Sequence, residues 1–111
     1  MNAIVKPDAA TTRIISFNVN GLRARLHQLQ AVIDQHAPDI IGLQEIKVSN
    51  EEFPLEAVNE MGYTVDFHGQ KGHYGVAMLS KMPAAAITRG YPSDNDEAQR
   101  RMIHGEYSIN G

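Results

Sequence analysis

The chain has 111 residues, 42% hydrophobic and 21% charged, which describes at most one globular domain or a piece of one and excludes a disordered or fibrous polymer. A formal net charge of −3 excludes coating of nucleic acid by bulk positive charge, so any contact with phosphate has to be local. Zero cysteines exclude disulfides and thiolate metal sites and are compatible with a reducing, cytoplasmic setting.

No stretch approaches the roughly 20 apolar residues that a membrane span needs. Residues 1–12, "MNAIVKPDAATT", have neither the basic start nor the apolar centre of a secretory signal and read as a frayed, disordered extension. "RIISFNV", Arg13 to Val19, is β-branched and aromatic and predicts a buried strand. A helix is expected next, with Leu22, Leu26, Leu29, Ile33 and His36 at helical spacing and Pro38 as its stop. "DIIGLQE", Asp39 to Glu45, predicts a second strand. Strand, helix, strand within about thirty residues implies a right-handed crossover and therefore two parallel strands.

"FPLEAVNEMG" predicts a short helix closed by Gly62, with Pro54 suited to its first turn. "YTVDFHG" and "YGVAMLS", joined by the glycine-bearing "GQKGH", predict a hairpin. "AAAITR" is a further strand, "GYPSDNDEAQ" a loop and "RRMIHGEYSI" a last strand. The closing "ING" is a hairpin-turn signal after which a second strand is expected, which points to truncation.

Ligands in parallel sheets collect outside the carboxyl ends of the strands. Asn18 and Asn20 leave the first strand on one side, and Glu45 and Lys47 leave the second, so an oxygen-rich pocket with a cation beside it is expected there. One carboxylate, one amide oxygen and several waters suit magnesium shared with a phosphate. Spacing alone leaves a second reading open, in which Asn20 caps the next helix and Glu45 pairs with Lys47 on a solvated edge. Arg23 and Arg25 are expected in the helix's first turn, where they oppose the macrodipole unless an anion joins them.

In "GQKGHYG", glycine permits close backbone approach, and Lys71, His73 and Tyr74 offer a cation and rings to a nucleic-acid strand, although such loops are commonly plain turns. Of Arg100 and Arg101, one is expected to point to solvent and the other across the sheet. The histidines at 27, 36, 68, 73 and 104 show no zinc-ligand spacing, and His36 suits a helix C-terminus. "SDNDE" reads as a solvated acidic loop.

Taken together, "SFNVNGLRAR", "PDIIGLQEIKV", "FHGQKGHYGVAMLSK" and "EAQRRMI" resemble, in order and spacing, the exodeoxyribonuclease III family of apurinic/apyrimidinic endonucleases in the endonuclease/exonuclease/phosphatase superfamily. The match runs from about Arg13 to Glu106 and moves weight toward the metal reading. The resemblance implies an α+β, DNase I-like mixed β-sheet sandwich flanked by helices, of which this chain supplies roughly the first sheet layer. It makes residues 13–111 the N-terminal half of the domain, truncated at its C-terminus.

The implied activity is magnesium-dependent phosphodiester hydrolysis, with manganese as a substitute ion, on double-stranded DNA at abasic sites and 3′ ends, by a full-length monomer. By matching motifs Glu45 is the metal ligand, with Asn18 close to the metal and scissile phosphate. Asn20, Arg23 and Arg25 resemble phosphate-side contacts and Lys47 a cation supporting the glutamate. Lys71, Gly72 and His73 form a DNA-contacting loop, and Arg101 sits near the DNA-facing surface. The family's catalytic tyrosine, Asp-x-Asn pair, further aspartate and late Asp-His pair have no counterpart here, so no catalytic base is assigned and the isolated chain is expected to be inactive. The alternatives are a superfamily phosphatase or phosphodiesterase acting on lipid or inositol phosphates, and a non-catalytic fragment that binds DNA or a partner half.

Overall fold

A computed structural model of the chain describes residues 11–95 and 98–109. The expected extension over 1–12 therefore lies outside the described residues except for Thr11 and Thr12, as does the terminal Asn110-Gly111 turn. In chain order the elements are β1 (Ile14–Asn18), α1 (Leu26–His36), β2 (Ile40–Gln44), α2 (Leu55–Glu60), β3 (Thr64–His68), β4 (Val76–Ser80), β5 (Ala86–Arg89) and β6 (Ile103–Glu106).

The first two strands are parallel, as the crossover requires, with Ile14 opposite Ile40 and Asn18 opposite Gln44. β4 runs antiparallel to both β2 and β3, giving one mixed sheet in the order β1-β2-β4-β3. Strand alternation then builds two rows on one face. Phe17, Leu43, Ala77 and Phe67 align in the first, and Ile41, Leu79 and Val65 in the second. Against these rows pack Leu22, Leu26, Leu29 and Ile33 from the α1 region and Val58 and Met61 from the α2 region, forming the core. Tyr63 is 3% exposed, and its hydroxyl donates to the Pro38 carbonyl at 2.6 Å, tying the start of β3 to the turn before β2.

The helix after β1 starts four residues later than its apolar spacing predicts. Leu22 keeps its place in the core, but its N–H donates to the Ile46 carbonyl (2.9 Å), while that of Gly21 donates to Glu45 (2.8 Å). The chain leaving β1 thus continues beside the chain leaving β2, and helix begins only at Leu26. Arg25 is the N-cap residue and makes no side-chain capping bond. Asn20 is therefore not the cap, and Arg23 and Arg25 are not in the helix's first turn. At the far end Ala37 takes a left-handed C-cap (φ 46°) and Pro38 ends the helix where expected.

β5 and β6 form a separate antiparallel pair rather than extending the main sheet. Arg89 joins it to β3, donating from Nε to the Phe67 carbonyl at 2.8 Å and pairing with Asp66 at 3.6 Å. Asp66 lies on the face opposite the core, so this pair leans on the β3–β4 end of that face. At the β1 end Ile14, Ser16 and Asn18 stay exposed. The last strand is shorter than "RRMIHGEYSI" predicts, and at its start the Arg100 and Arg101 positions bond outside the β5–β6 ladder. Among the described residues no helix is long and apolar enough to cross a membrane.

Leu79 is fully buried beneath the helices. Leu79→Ala is expected to cost about 2–5 kcal/mol in urea unfolding. Tyr63→Phe, which leaves the Pro38 carbonyl without its partner, is expected to cost about 1–2 kcal/mol.

Candidate functional site

A cleft of about 440 Å³ opens at the carboxyl ends of the parallel strands. Its walls come from four pieces of chain: the end of β1 (Asn18), the end of β2 and the segment after it (Gln44, Glu45, Lys47), the loop leading into the start of β4 (His73 to Val76) and the segment before β6 (Arg100, Arg101).

Glu45 and Lys47 both have left-handed backbones, at φ 54° and 55°, as does Asn20 at 50°. Such a conformation costs a residue bearing a β-carbon about 1 kcal/mol, and it persists only where surrounding bonds over-determine it. Here they do. The Glu45 and Ile46 carbonyls accept the N–H groups of Gly21 and Leu22 on one side. The Ile46 and Lys47 N–H groups donate to the Gly75 and Tyr74 carbonyls on the other (3.1 and 2.9 Å). Ile46 itself is fully buried. With Ile46 anchored inward, the left-handed turns bring Glu45 and Lys47 together at the cleft.

The Asn18 amide nitrogen donates to Glu45 Oε2 at 2.5 Å, and its oxygen accepts the Asn20 N–H at 3.1 Å. Lys47 Nζ stands 3.5 Å from Glu45 Oε1 and donates to Asn20 Oδ1 at 2.6 Å. The Asn18 hydrogen bond is the leading cause and, with the charge and hydrogen bond of Lys47 and the charge of Arg101, outweighs the opposing desolvation, so the Glu45 carboxyl is held below the usual carboxylate range. Glu45 is therefore an ionised carboxylate, 40% exposed on its side chain, fixed in direction by an amide and a cation.

Of the sequence-predicted residues, Asn18, Glu45, Lys47, His73 and Arg101 line the cleft. Asn20 stands behind Lys47. Arg25 turns back onto the Asn20 carbonyl (2.5 Å), and Arg23 pairs with Glu52 (3.1 Å) on an exposed surface, away from the cleft. The Gly21 and Leu22 N–H groups, expected to open the helix and face an anion, are instead spent on the Glu45 and Ile46 carbonyls. Lys71 and Gly72 are exposed at the loop tip. The Arg101 guanidinium lies 5.0 Å over the Tyr74 ring, with His73 edge-on to that ring at 6.1 Å.

Gln44, Tyr74 and Arg100 also line the cleft. Gln44 is legible from the parallel register, since it stands opposite Asn18. Arg100 has no local signal, because its partners are about thirty residues distant.

Among the described residues no three His, Cys, Asp or Glu side chains gather into a metal cage. Glu45 is the carboxylate that could hold a cation. A single hard oxygen ligand in an open polar cleft fits magnesium, which keeps most of its water and shares phosphate oxygens. It does not fit zinc, which wants three or four protein ligands.

Residues 15–110 match the model of the endonuclease/exonuclease/phosphatase family. The chain belongs to this family. Among curated family members it is 59% identical to exodeoxyribonuclease III of Haemophilus influenzae over 91 residues, covering 82% of this chain and 34% of that protein. It is 32% identical to a DNA-(apurinic or apyrimidinic site) endonuclease of Dictyostelium discoideum, over 86% of this chain and 27% of the relative. Of solved structures, a 3′ phosphatase from Neisseria bound to product DNA hairpin superposes with a TM-score of 0.80 at 35% identity, over 91% of this chain and 38% of that one. An AP endonuclease from Archaeoglobus fulgidus gives 0.79 at 36%, over 86% and 37%. These family members share the DNase I-like architecture, so the mixed sheet and its helices are part of that α+β fold. The chain thus spans about a third or less of the length of these curated relatives.

Removing the Asn18 donor withdraws the leading cause of the lowered Glu45 pKa. Asn18→Ala is expected to move the Glu45 titration up toward the ordinary carboxylate range, read from its side-chain carboxyl carbon by NMR. Interactions that need ionised Glu45 hold as pH falls until the lowered pKa is reached, so in the variant they fail at higher pH.

Proposed function

We propose that this chain is the N-terminal part of a magnesium-dependent DNA-repair nuclease. In this reading it supplies the first metal ligand and much of the phosphate-binding wall for phosphodiester hydrolysis at abasic sites and 3′ ends of double-stranded DNA. The observation that carries the proposal is the oriented, ionised Glu45 at the strand ends, with Lys47 and Arg101 around it. The relatives favour DNA over lipid or inositol phosphates: those compared are an exodeoxyribonuclease, apurinic-site endonucleases and a phosphatase bound to a DNA hairpin.

In this reading Glu45 holds the magnesium ion, or manganese in its place. When bound, the ion stabilises the charge that builds on the phosphate. Asn18 keeps Glu45 facing the phosphate and fixes which carboxylate oxygen is engaged. Lys47 restrains the other oxygen and, with Arg101, adds positive charge beside the incoming backbone. This local cluster lets a chain with a formal net charge of −3 approach a polyanion. The ring pair of His73 and Tyr74, with Lys71 and Gly72 at the loop tip, faces the strand beyond the reacting phosphate. Asn20 supports Lys47 from behind. Arg25 shapes the Asn20 turn, and Arg23, paired with Glu52 outside the cleft, takes a peripheral phosphate at most.

Hydrolysis also needs a group that positions or deprotonates the attacking water. His73 is the histidine at this cleft, and its contact is with the Tyr74 ring. The 111 residues alone are therefore proposed to bind without cutting.

Fluorescence anisotropy of a labelled abasic-site duplex is expected to show binding that strengthens with magnesium, and Glu45→Gln is expected to remove the magnesium dependence. Lys47→Ala and Arg101→Ala are each expected to weaken binding and to reduce the salt slope by about one. No incision is expected from the purified chain. Magnesium-dependent cutting that survives stringent purification and is lost in Glu45→Gln would show that these residues suffice for catalysis.

A further inference from the structure

In the wall of the cleft the loop from Gly69 to Gly75 meets the segment before β6 through three hydrogen bonds centred on Arg100. Its N–H donates to Gln70 Oε1 at 2.6 Å, and its guanidinium donates to the Gly69 carbonyl at 2.7 Å. Its own carbonyl accepts the Gly75 N–H at 2.8 Å. Gly75 is the hinge between this arrangement and the site, because its carbonyl receives the N–H of Ile46, the residue between Glu45 and Lys47. A β-carbon at Gly75 would stand 2.7 Å from Ile46 Cγ1 and 3.0 Å from the Gln70 nitrogen, so this peptide has no slack.

We propose that Arg100, with Gln70, is a positioning residue for the candidate metal site. By holding the Gly75 peptide in place, it keeps the Ile46 and Lys47 N–H groups bonded, and with them the left-handed turns that aim Glu45 into the cleft. Arg101, its neighbour, faces the cleft over Tyr74. The two arginines have separate tasks: Arg101 presents charge, and Arg100 fixes backbone. The consequence for metal rests on the reading of Glu45 as a cation ligand, whereas the clamp itself is a property of the backbone.

Charge and position predict opposite signs. If Arg100 acted only as a cation lining the cleft, its removal would relieve repulsion and tighten divalent-ion binding. If it acts as a clamp, removal loosens Glu45 and weakens binding.

The test compares the 111-residue chain with Arg100→Met, Arg100→Lys and Gln70→Leu. The readouts are amide hydrogen exchange by NMR and manganese binding by the paramagnetic resonance of the free ion. In Arg100→Met, exchange at Gly75, Ile46 and Lys47 is expected to quicken about tenfold, the effect of losing roughly one hydrogen bond. Leu43 and Leu79 amides in the sheet should keep their protection. Manganese affinity should fall, with Arg100→Lys, which retains a charged donor, recovering part of both effects and Gln70→Leu reproducing them in weaker form.

Unchanged exchange at Ile46 and Lys47 in both Arg100→Met and Gln70→Leu would overturn the clamp, as would tighter manganese binding in Arg100→Met. Should Arg100→Met also lose protection at Leu79, the decision passes to Gln70→Leu. If the unaltered chain binds no manganese, the metal reading of Glu45 fails, while the exchange data still decide whether Arg100 holds the backbone.

Discussion

The site depends on backbone pairing that continues past the ends of the strands. β1 and β2 stop as regular strands at Asn18 and Gln44, yet the segments beyond them remain laced together, Gly21 to Glu45 and Leu22 to Ile46, and then onward to Tyr74 and Gly75. Buried N–H and C=O groups need partners, and around fully buried Ile46 this lacing supplies them. It also carries Glu45 and Lys47 through backbone conformations that side chains ordinarily avoid. Without the flanking bonds, neither residue would have a reason to stay there.

This constraint explains how a chain of modest negative charge gathers Lys47 and Arg101 around one oriented carboxylate at the cleft. Glu45 gains an amide donor and a cation, and those partners in turn rest on others: Lys47 on Asn20, and Asn20 on the turn that Arg25 braces. Such chains of contact give direction more than stability. The exposed Arg23–Glu52 pair outside the cleft contributes little to either.

The core and the site also divide the sheet between them. One face carries the apolar rows that the helices cover, and the other carries Asn18, Gln44 and Val76 at the cleft and Asp66 beneath the β5–β6 pair. Because alternate residues along a strand face opposite ways, the residues that stabilise the fold and those that present chemistry interleave along one short stretch without competing for space.

Much of this was legible in the residues themselves. The short β-branched and apolar runs "RIISFNV" and "DIIGLQE", the crossover spacing between them and the glycine-bearing hairpin led to the parallel pair and its neighbours, since strand composition and connection length are local properties. They also placed Asn18, Glu45 and Lys47 at a common edge, and the ordered motifs led to the family. Three things were decided only by tertiary contact. Helical spacing from Leu22 onward could not reveal that Leu22 would bond to Ile46 instead of opening α1, which took Arg23 and Arg25 out of the helix's first turn. Nor could it show that the Asn18 nitrogen, rather than its oxygen, would meet Glu45. Arg100, finally, finds its partners about thirty residues away across the fold. Sequence periodicity records which way a side chain faces along its own element, while hydrogen bonds between distant segments are chosen only once those segments are packed together.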